Sequence, residues 1–263
     1  MSEAWPVALT IAGSDPSGGA GIQADLKTFH QFGVYGEAVI TLLTVQNTRR
    51  VTRVECLPPE LVAQQIQAVL EDIPPNAAKT GALGNAGIVL AVAELAEGFP
   101  FPLVVDPVMN SKHGAPLLAS QACRLFMERL IPRASLLTPN LAEAATLSGI
   151  DVKGPEEMRL AAERILKLGA KAVLVKGGHL DRGATDILLA DGEWHEFPGE
   201  RIDTPHTHGT GCTLSAAVTA ELAKGTALVE AVRRAKLFIT EAIRTSPRLG
   251  GGAGPVNHLA GTG

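Results

Sequence analysis

Short runs of β-branched and other apolar residues recur along the chain, from Val7 to Ile11, Ala38 to Val45, Leu103 to Asp106, Leu136 to Thr138 and Ala172 to Lys176, each trailed by a longer amphipathic stretch. Such runs are too short for buried helices and too apolar for strands with one wet face. The alternation therefore predicts βαβ units around a mostly parallel sheet covered by helices on both faces. Apolar spacing predicts a helix between Gly19 and Phe32, another from Pro59 to the Pro74-Pro75 break, a third through Ala162, Ile165, Leu166 and Leu168, and two more over about Gly211–Lys224 and Leu228–Arg244. One stretch departs from this rhythm. Between Thr185 and Phe197, Asp191-Gly192 separates two strand-like arms, which predicts a small edge hairpin or flap.

The 263 residues are 46% hydrophobic and 19% charged, a composition that excludes disorder for most of the chain. With 23 basic and 27 acidic residues and no Lys/Arg-rich run, the electrostatic footprint of a nucleic-acid binder is missing. Cys56, Cys123 and Cys212 are odd in number and widely spaced, which argues against a disulfide framework and for a reducing compartment. Neither a leader-like start nor an apolar run of membrane-crossing length is seen, so the expectation is a cytoplasmic protein with no membrane partner. Nothing marks a domain boundary. The chain is read as one domain over 1–263, with a glycine-rich tail from 250 to 263 expected to be partly loose.

In an open α/β sheet, ligands gather beyond the carboxyl ends of the strands. Four such loops stand out. The first, Gly13-Ser14-Asp15-Pro16-Ser17-Gly18-Gly19-Ala20-Gly21, is either a tight βα turn or a backbone cradle for a ligand at a helix start. It does not match the dinucleotide or P-loop fingerprints. The second, Asp106-Pro107-Val108-Met109, ends a strand on a carboxylate able to cap a turn or to hold a metal near phosphate. In the third, Thr138-Pro139-Asn140-Leu141-Ala142-Glu143-Ala144, Asn140 and Glu143 lie one helical turn apart, where a capping box is the simplest explanation. The fourth, Thr207-His208-Gly209-Thr210-Gly211-Cys212-Thr213-Leu214-Ser215, leads into an Ala-rich helix whose first amides would make an anion hole. Cys212 there is either a buried structural cysteine or a thiol acidified by the helix start.

Together these loops, with Thr44-Val45-Gln46-Asn47-Thr48, Lys79-Thr80-Gly81, Lys176-Gly177-Gly178-His179 and Gly254-Pro255-Val256-Asn257-His258, resemble in order the ribokinase family, in its branch of hydroxymethylpyrimidine and phosphomethylpyrimidine kinases. The resemblance implies a three-layer αβα sandwich with an edge hairpin and no separate lid domain. It also implies ATP-dependent phosphorylation of 4-amino-5-hydroxymethyl-2-methylpyrimidine and then of its monophosphate, on the route to thiamine diphosphate, by a homodimer using Mg2+. Carried onto this sequence, Gln46, Asp25, Gly13, Gly19, Ala20, Gly21, Ala82 and Val108 would surround the pyrimidine, and Asn140, Lys176, Thr185, Asp186, Thr207, Gly209 and Gly211 would meet ATP. Asp106 and Glu143 would organise Mg2+, and Cys212 with the amides of Gly209, Thr210 and Gly211 would serve the transfer itself.

Cys212 stands where sugar kinases carry an aspartate base. A thiol tolerates both an alcohol acceptor and an ionised phosphate monoester better than a fixed negative charge would. Ala82 replaces the methionine usual in the branch, and His113 replaces a smaller residue. The rival reading within the fold is a pyridoxine, pyridoxal or pyridoxamine kinase. A more distant rival is a non-catalytic nucleotide sensor.

Overall fold

In the computed structural model, which describes residues 5–110, 114, 117, 118, 120–178 and 183–262, the expected alternation is present. The chain runs β1 (Val7–Ser14), α1 (Gly21–Gln31), β2 (Tyr35–Gln46), β3 (Val51–Cys56), α2 (Pro59–Asp72), β4 (Ala77–Thr80), α3 (Ala86–Ala96) and β5 (Leu103–Val105). It continues with α4 (Ser120–Leu125), which passes through a π turn and a 3-10 turn to Arg133, then β6 (Leu136–Leu137), α5 (Leu141–Ser148), α6 (Pro155–Leu166) and β7 (Ala172–Val175). The hairpin β8 (Asp186–Ala190) and β9 (Glu193–Phe197) and two long helices, α7 (Thr210–Ala223) and α8 (Leu228–Arg244), complete it.

Among the described residues nine strands form one sheet in the order β3-β2-β1-β4-β5-β6-β7-β8-β9. The six strands from β2 to β7 are parallel to their neighbours, while β3, β8 and β9 join antiparallel at the margins. Strand residues alternate between two cores. Leu9, Ile11, Val173 and Val175 pack under α2, α3, α5 and α6, whereas Ala8, Ala172 and Leu174 pack under α1, α7 and α8. Burial on both faces explains why these strands read as continuous apolar runs.

The hairpin forms where expected. Asp191 and Gly192 both hold positive φ (51° and 79°), the conformation a two-residue turn with the strand twist requires. Two strands and three helices escaped the periodicity, although the Asn140–Glu143 spacing did mark the start of the eight-residue α5. β4 is only four residues long and carries Lys79, and β3 alternates charged with apolar residues at the sheet edge. Helix α3 is apolar nearly all round and α4 has six residues, so neither presents a clear stripe.

The tail, expected to be partly loose, packs along most of its length. Val256 and Ala260 are buried, and Ala253 N donates to Thr48 O, Val256 N to His208 O and Asn257 N to Ala242 O. No helix among the described residues is long and apolar enough to cross a membrane.

Candidate active site

The chain leaves β1 for β2 on one side and, after β3, returns on the other side as β4, so the connections diverge between β1 and β4. Open sheets place ligands at such switch points, beyond the strand carboxyl ends. A cavity of about 660 Å³ lies there, roomy enough for two small ligands side by side.

The loops that follow β1, β4, β5, β6 and β7 all reach it. Of the residues singled out in the sequence, Gly13, Ala20, Gly21, Gln46, Ala82 and Val108 line it, as do Asp106, Asn140, Glu143, Lys176, Asp186, Thr207, Gly209, Thr210, Gly211 and Cys212. Gly19, Asp25 and Thr185 do not. His113 and His179 lie outside the described residues.

One end of the cavity is built around an anion-sized turn. Gly209 precedes α7 with φ 79°, and a Cβ on it would meet Gly19 O at 1.8 Å, so the turn packs backbone against backbone on the β1 loop. No side chain caps α7; Thr210 N donates to Thr207 O at 3.3 Å, which leaves the next amides, those of Gly211 and Cys212, for the cavity. A Cβ on Gly211 would lie 3.3 Å from Lys176 Nζ and 3.7 Å from Asp106 Oδ2. Amides, ammonium and carboxylate therefore converge within a few ångströms.

Lys176 follows β7 directly, and its backbone N–H donates to Pro139 O, extending the pairing of β6 and β7 beyond their ends. Its Nζ donates to Asp106 Oδ1 at 3.0 Å. Burial opposes its charge, but Asp106 and Glu143 more than restore it and hold the ammonium above its ordinary value. Asn140 and Glu143 form the full capping box of α5. Asn140 Oδ1 accepts from Glu143 N at 2.9 Å, and Glu143 Oε2 accepts from Asn140 N at 2.8 Å. Burial, with Asp106 nearby, pushes the Glu143 carboxyl up to about 7 against the pull of Lys176.

Cys212 lies in the first turn of α7, and of the two readings left open for it the acidified thiol is not the one that results. Burial pushes it up to about 11, with Asp25 and Asp106 adding to the rise, while Lys79 and the Gly21 N–H pull the other way. Desolvation outweighs the helix start, and the thiol stays neutral near pH 7.

Asp25 also needs correction as a substrate contact. It is fully buried beneath the site, where Oδ1 accepts from Lys79 Nζ at 2.7 Å and Oδ2 from Thr10 Oγ1 at 2.6 Å. Lys79 Nζ also lies 3.5 Å from Cys212 O, so the pair supports the start of α7 from below. Gly19 is covered by His208, since a Cβ there would meet His208 Cδ2 at 2.5 Å. Asp186 faces the cavity but is already held, accepting from Lys236 Nζ at 2.9 Å and from Gly177 N at 2.8 Å.

At the other end β2 presents Leu42, Thr44 and Gln46 to the cavity, with Ala82 and Val108 across from them. The Gln46 amide meets His208, and His208 meets Asp15. Sequence reasoning gave no role to His208, Asp15, Lys79 or Lys236. Asp15 and His208 lay within loops already marked, whereas Lys236, one of several cations on α8, carried no local signal. Leu214, Ile239 and Ile243 add an apolar wall to the cavity, which Glu200–Thr204 also line.

The family model for phosphomethylpyrimidine kinase matches residues 15–257. The chain is 49% identical to the hydroxymethylpyrimidine/phosphomethylpyrimidine kinase of Streptomyces coelicolor over 253 residues, covering 96% of this chain and 94% of that protein. It is 50% identical to the thiamine biosynthesis bifunctional protein ThiED of Geobacter sulfurreducens, covering 95% of this chain but only 52% of that longer protein. Among solved structures, an ADP complex of Bacillus subtilis pyridoxal kinase superposes with a TM-score of 0.90 at 40% identity over 98% of each chain.

Proposed function

The chain belongs to the phosphomethylpyrimidine kinase family, and on that premise we propose that it phosphorylates 4-amino-5-hydroxymethyl-2-methylpyrimidine with ATP and then phosphorylates the resulting monophosphate. The observation that carries this reading is the convergence of the Gly211 turn with Lys176 and Asp106 at one end of a cavity whose other end presents Gln46.

In the first transfer the hydroxymethyl oxygen bonds to the γ-phosphorus, the bond to the β-phosphate oxygen breaks, ADP leaves and the alcohol proton passes to solvent. In the second, an ionised phosphate oxygen attacks and no proton need be removed. A loose phosphoryl-transfer transition state asks mainly for positioning and charge stabilisation. The α7 amides and Lys176 supply both. Cys212, its thiol kept neutral by burial, lines the floor without repelling either acceptor. Leu214, Ile239 and Ile243 suit the flat face of adenine, and Thr207 and Asn140 the phosphate path.

No cluster of three or more His, Cys, Asp or Glu side chains suited to a metal occurs among the described residues. Two carboxylates, Asp106 and Glu143, do face the phosphate end. That donor set fits Mg2+ shared with phosphates and water rather than a cage made wholly of protein. When bound, the ion would neutralise charge on the phosphoryl oxygens.

A second reading, phosphorylation of a B6 vitamer, is favoured by the small Ala82 in the cavity wall and by the pyridoxal kinase likeness. Incubation with Mg-ATP and each precursor, followed by mass measurement, tests both. Mono- and diphosphorylated pyrimidine are the expected products, and phosphorylation of pyridoxal alone would replace the first reading with the second. The proposal extends to a single catalytic domain in a cytoplasmic homodimer. All nine strands of the described residues share one sheet, the three cysteines are unbridged, and Leu43 and Val45 on the outer face of β2 are exposed where a second copy would cover them. Sedimentation at micromolar concentration tests the assembly.

A further inference from the structure

We propose that His208, locked to Asp15, fixes the orientation of the Gln46 side-chain amide and thereby makes the site select a 4-amino ring over a 4-oxo ring; this rests on the reading that Gln46 faces the ring edge. Asp15 is surrounded by donors. Its Oδ1 accepts from Ser17 N at 2.9 Å and Ser17 Oγ at 2.7 Å, and its Oδ2 accepts from Ala20 N at 2.9 Å and lies 2.7 Å from His208 Nε2. A carboxylate so placed has only acceptor capacity, so the hydrogen between it and the imidazole belongs to His208 Nε2. Burial works against the Asp15 charge, but these bonds prevail and hold its carboxyl below the ordinary value.

Gln46 Nε2 lies 3.1 Å from that same His208 Nε2. Two N–H groups cannot face one another productively. A half-turn of the terminal amide torsion brings Oε1 to the shared hydrogen and turns the NH2 group toward the cavity. In that orientation Oε1 keeps a second lone pair for an incoming donor, and the NH2 offers a donor beside it. An aminopyrimidine edge has an exocyclic amine next to an unprotonated ring nitrogen, which matches both. The 4-oxo analogue has a carbonyl next to a protonated ring nitrogen, which mismatches both.

An unrestrained glutamine would accommodate either ring by turning over. Here turning costs the bond to His208, and His208 cannot follow. It is 4% exposed, its N donates to Gly254 O and its O accepts from Val256 N, and Gly19 leaves no space behind it. The β1 loop, the entry to α7 and the tail thus jointly hold one amide.

The test compares kcat/KM for the 4-amino alcohol and its 4-oxo analogue, using the full chain and Mg-ATP. The wild type is expected to favour the amine by at least ~100-fold, because unmatched buried polar groups are costly. His208→Leu should cut that preference about tenfold or more, chiefly through KM for the ring, with KM for ATP little changed. His208→Gln, which returns an N–H near the Nε2 position, should restore most of it. Asp15→Asn, able to donate as well as accept, should relax the preference as His208→Leu does.

Unchanged preference in His208→Leu and Asp15→Asn, with preference lost in Gln46→Leu, would overturn the inference while leaving the Gln46 contact intact. Unchanged preference in Gln46→Leu would instead overturn the contact itself. Should the variants not fold, nitrogen-15 NMR of the wild-type imidazole decides: a proton on Nε2 is expected, and one on Nδ1 alone overturns the proposal.

Discussion

The two ends of the cavity are built differently. The phosphate end depends largely on backbone, through glycine turns and the first amides of α7, joined by the Lys176–Asp106 pair from the ends of β7 and β5. The ring end depends on a few side chains brought from β2, from the loop after β1, and from the entry to α7 as held by the tail. The transferring γ-phosphoryl group asks for positioning and charge stabilisation whichever acceptor receives it, and amides meet that demand with little dependence on sequence. Discrimination between rings requires particular donors and acceptors in fixed orientations, and only side chains vary enough to provide them.

The largest expected effect concerns what lies beneath the phosphate end. Lys79→Met leaves the Asp25 carboxylate buried and unpaired and should cost about 3–5 kcal/mol in denaturant unfolding, with most of it recovered by adding Asp25→Leu. If Asp25→Leu alone weakened ring binding without loss of stability, Asp25 would have to be moved back to the ring end. Next, Lys176→Met should lower kcat by about 10²–10³ for both acceptors, with KM for the ring nearly constant. A selective rise in ring KM would erase the contrast between the ends. Gln46→Leu should do the converse, raising ring KM about 10–100-fold through a lost pair of hydrogen bonds with a smaller change in kcat.

Cys212→Asp tests whether the floor must stay uncharged. A fixed carboxylate there should slow the second transfer about tenfold more than the first, since only the second acceptor is an anion. Equal slowing would remove that role. The smallest effect is read chemically. Because burial pushes the Cys212 thiol up to about 11, its alkylation by iodoacetamide should keep rising above pH ~10, where an ordinary thiol of pKa ~8.5 has levelled off. A plateau near pH 8 would mean that the helix start outweighs desolvation after all.

Much of this arrangement was legible before folding. Continuous apolar runs announced a parallel sheet, Asp191-Gly192 announced the hairpin, and the loops after β1, β5 and β6 and before α7 announced the site. The Asn140–Glu143 capping box, the simplest reading of that spacing, formed as read. β4 was not legible, because four residues with a lysine among them resemble neither a buried nor an amphipathic strand. That omission hid the reason for Lys79, whose burial makes sense only once β4 lies beside β1 with α1 and α7 above it. Asp25 went astray for the same reason, since its partner is 54 positions away along the chain.

By itself, then, the sequence determined the class of fold, because hydrophobic period, glycine turns and helix starts act over a few neighbouring residues, and it pointed to the reaction through the ordered motifs that resemble the kinase family. Tertiary structure alone decided that the Cys212 thiol is neutral rather than acidic, that Asp25 supports the floor instead of touching a ligand, and that the Gln46 amide is anchored by His208. Each of those depends on desolvation and on partners remote in the chain. Neither has a value until the chain has closed around them.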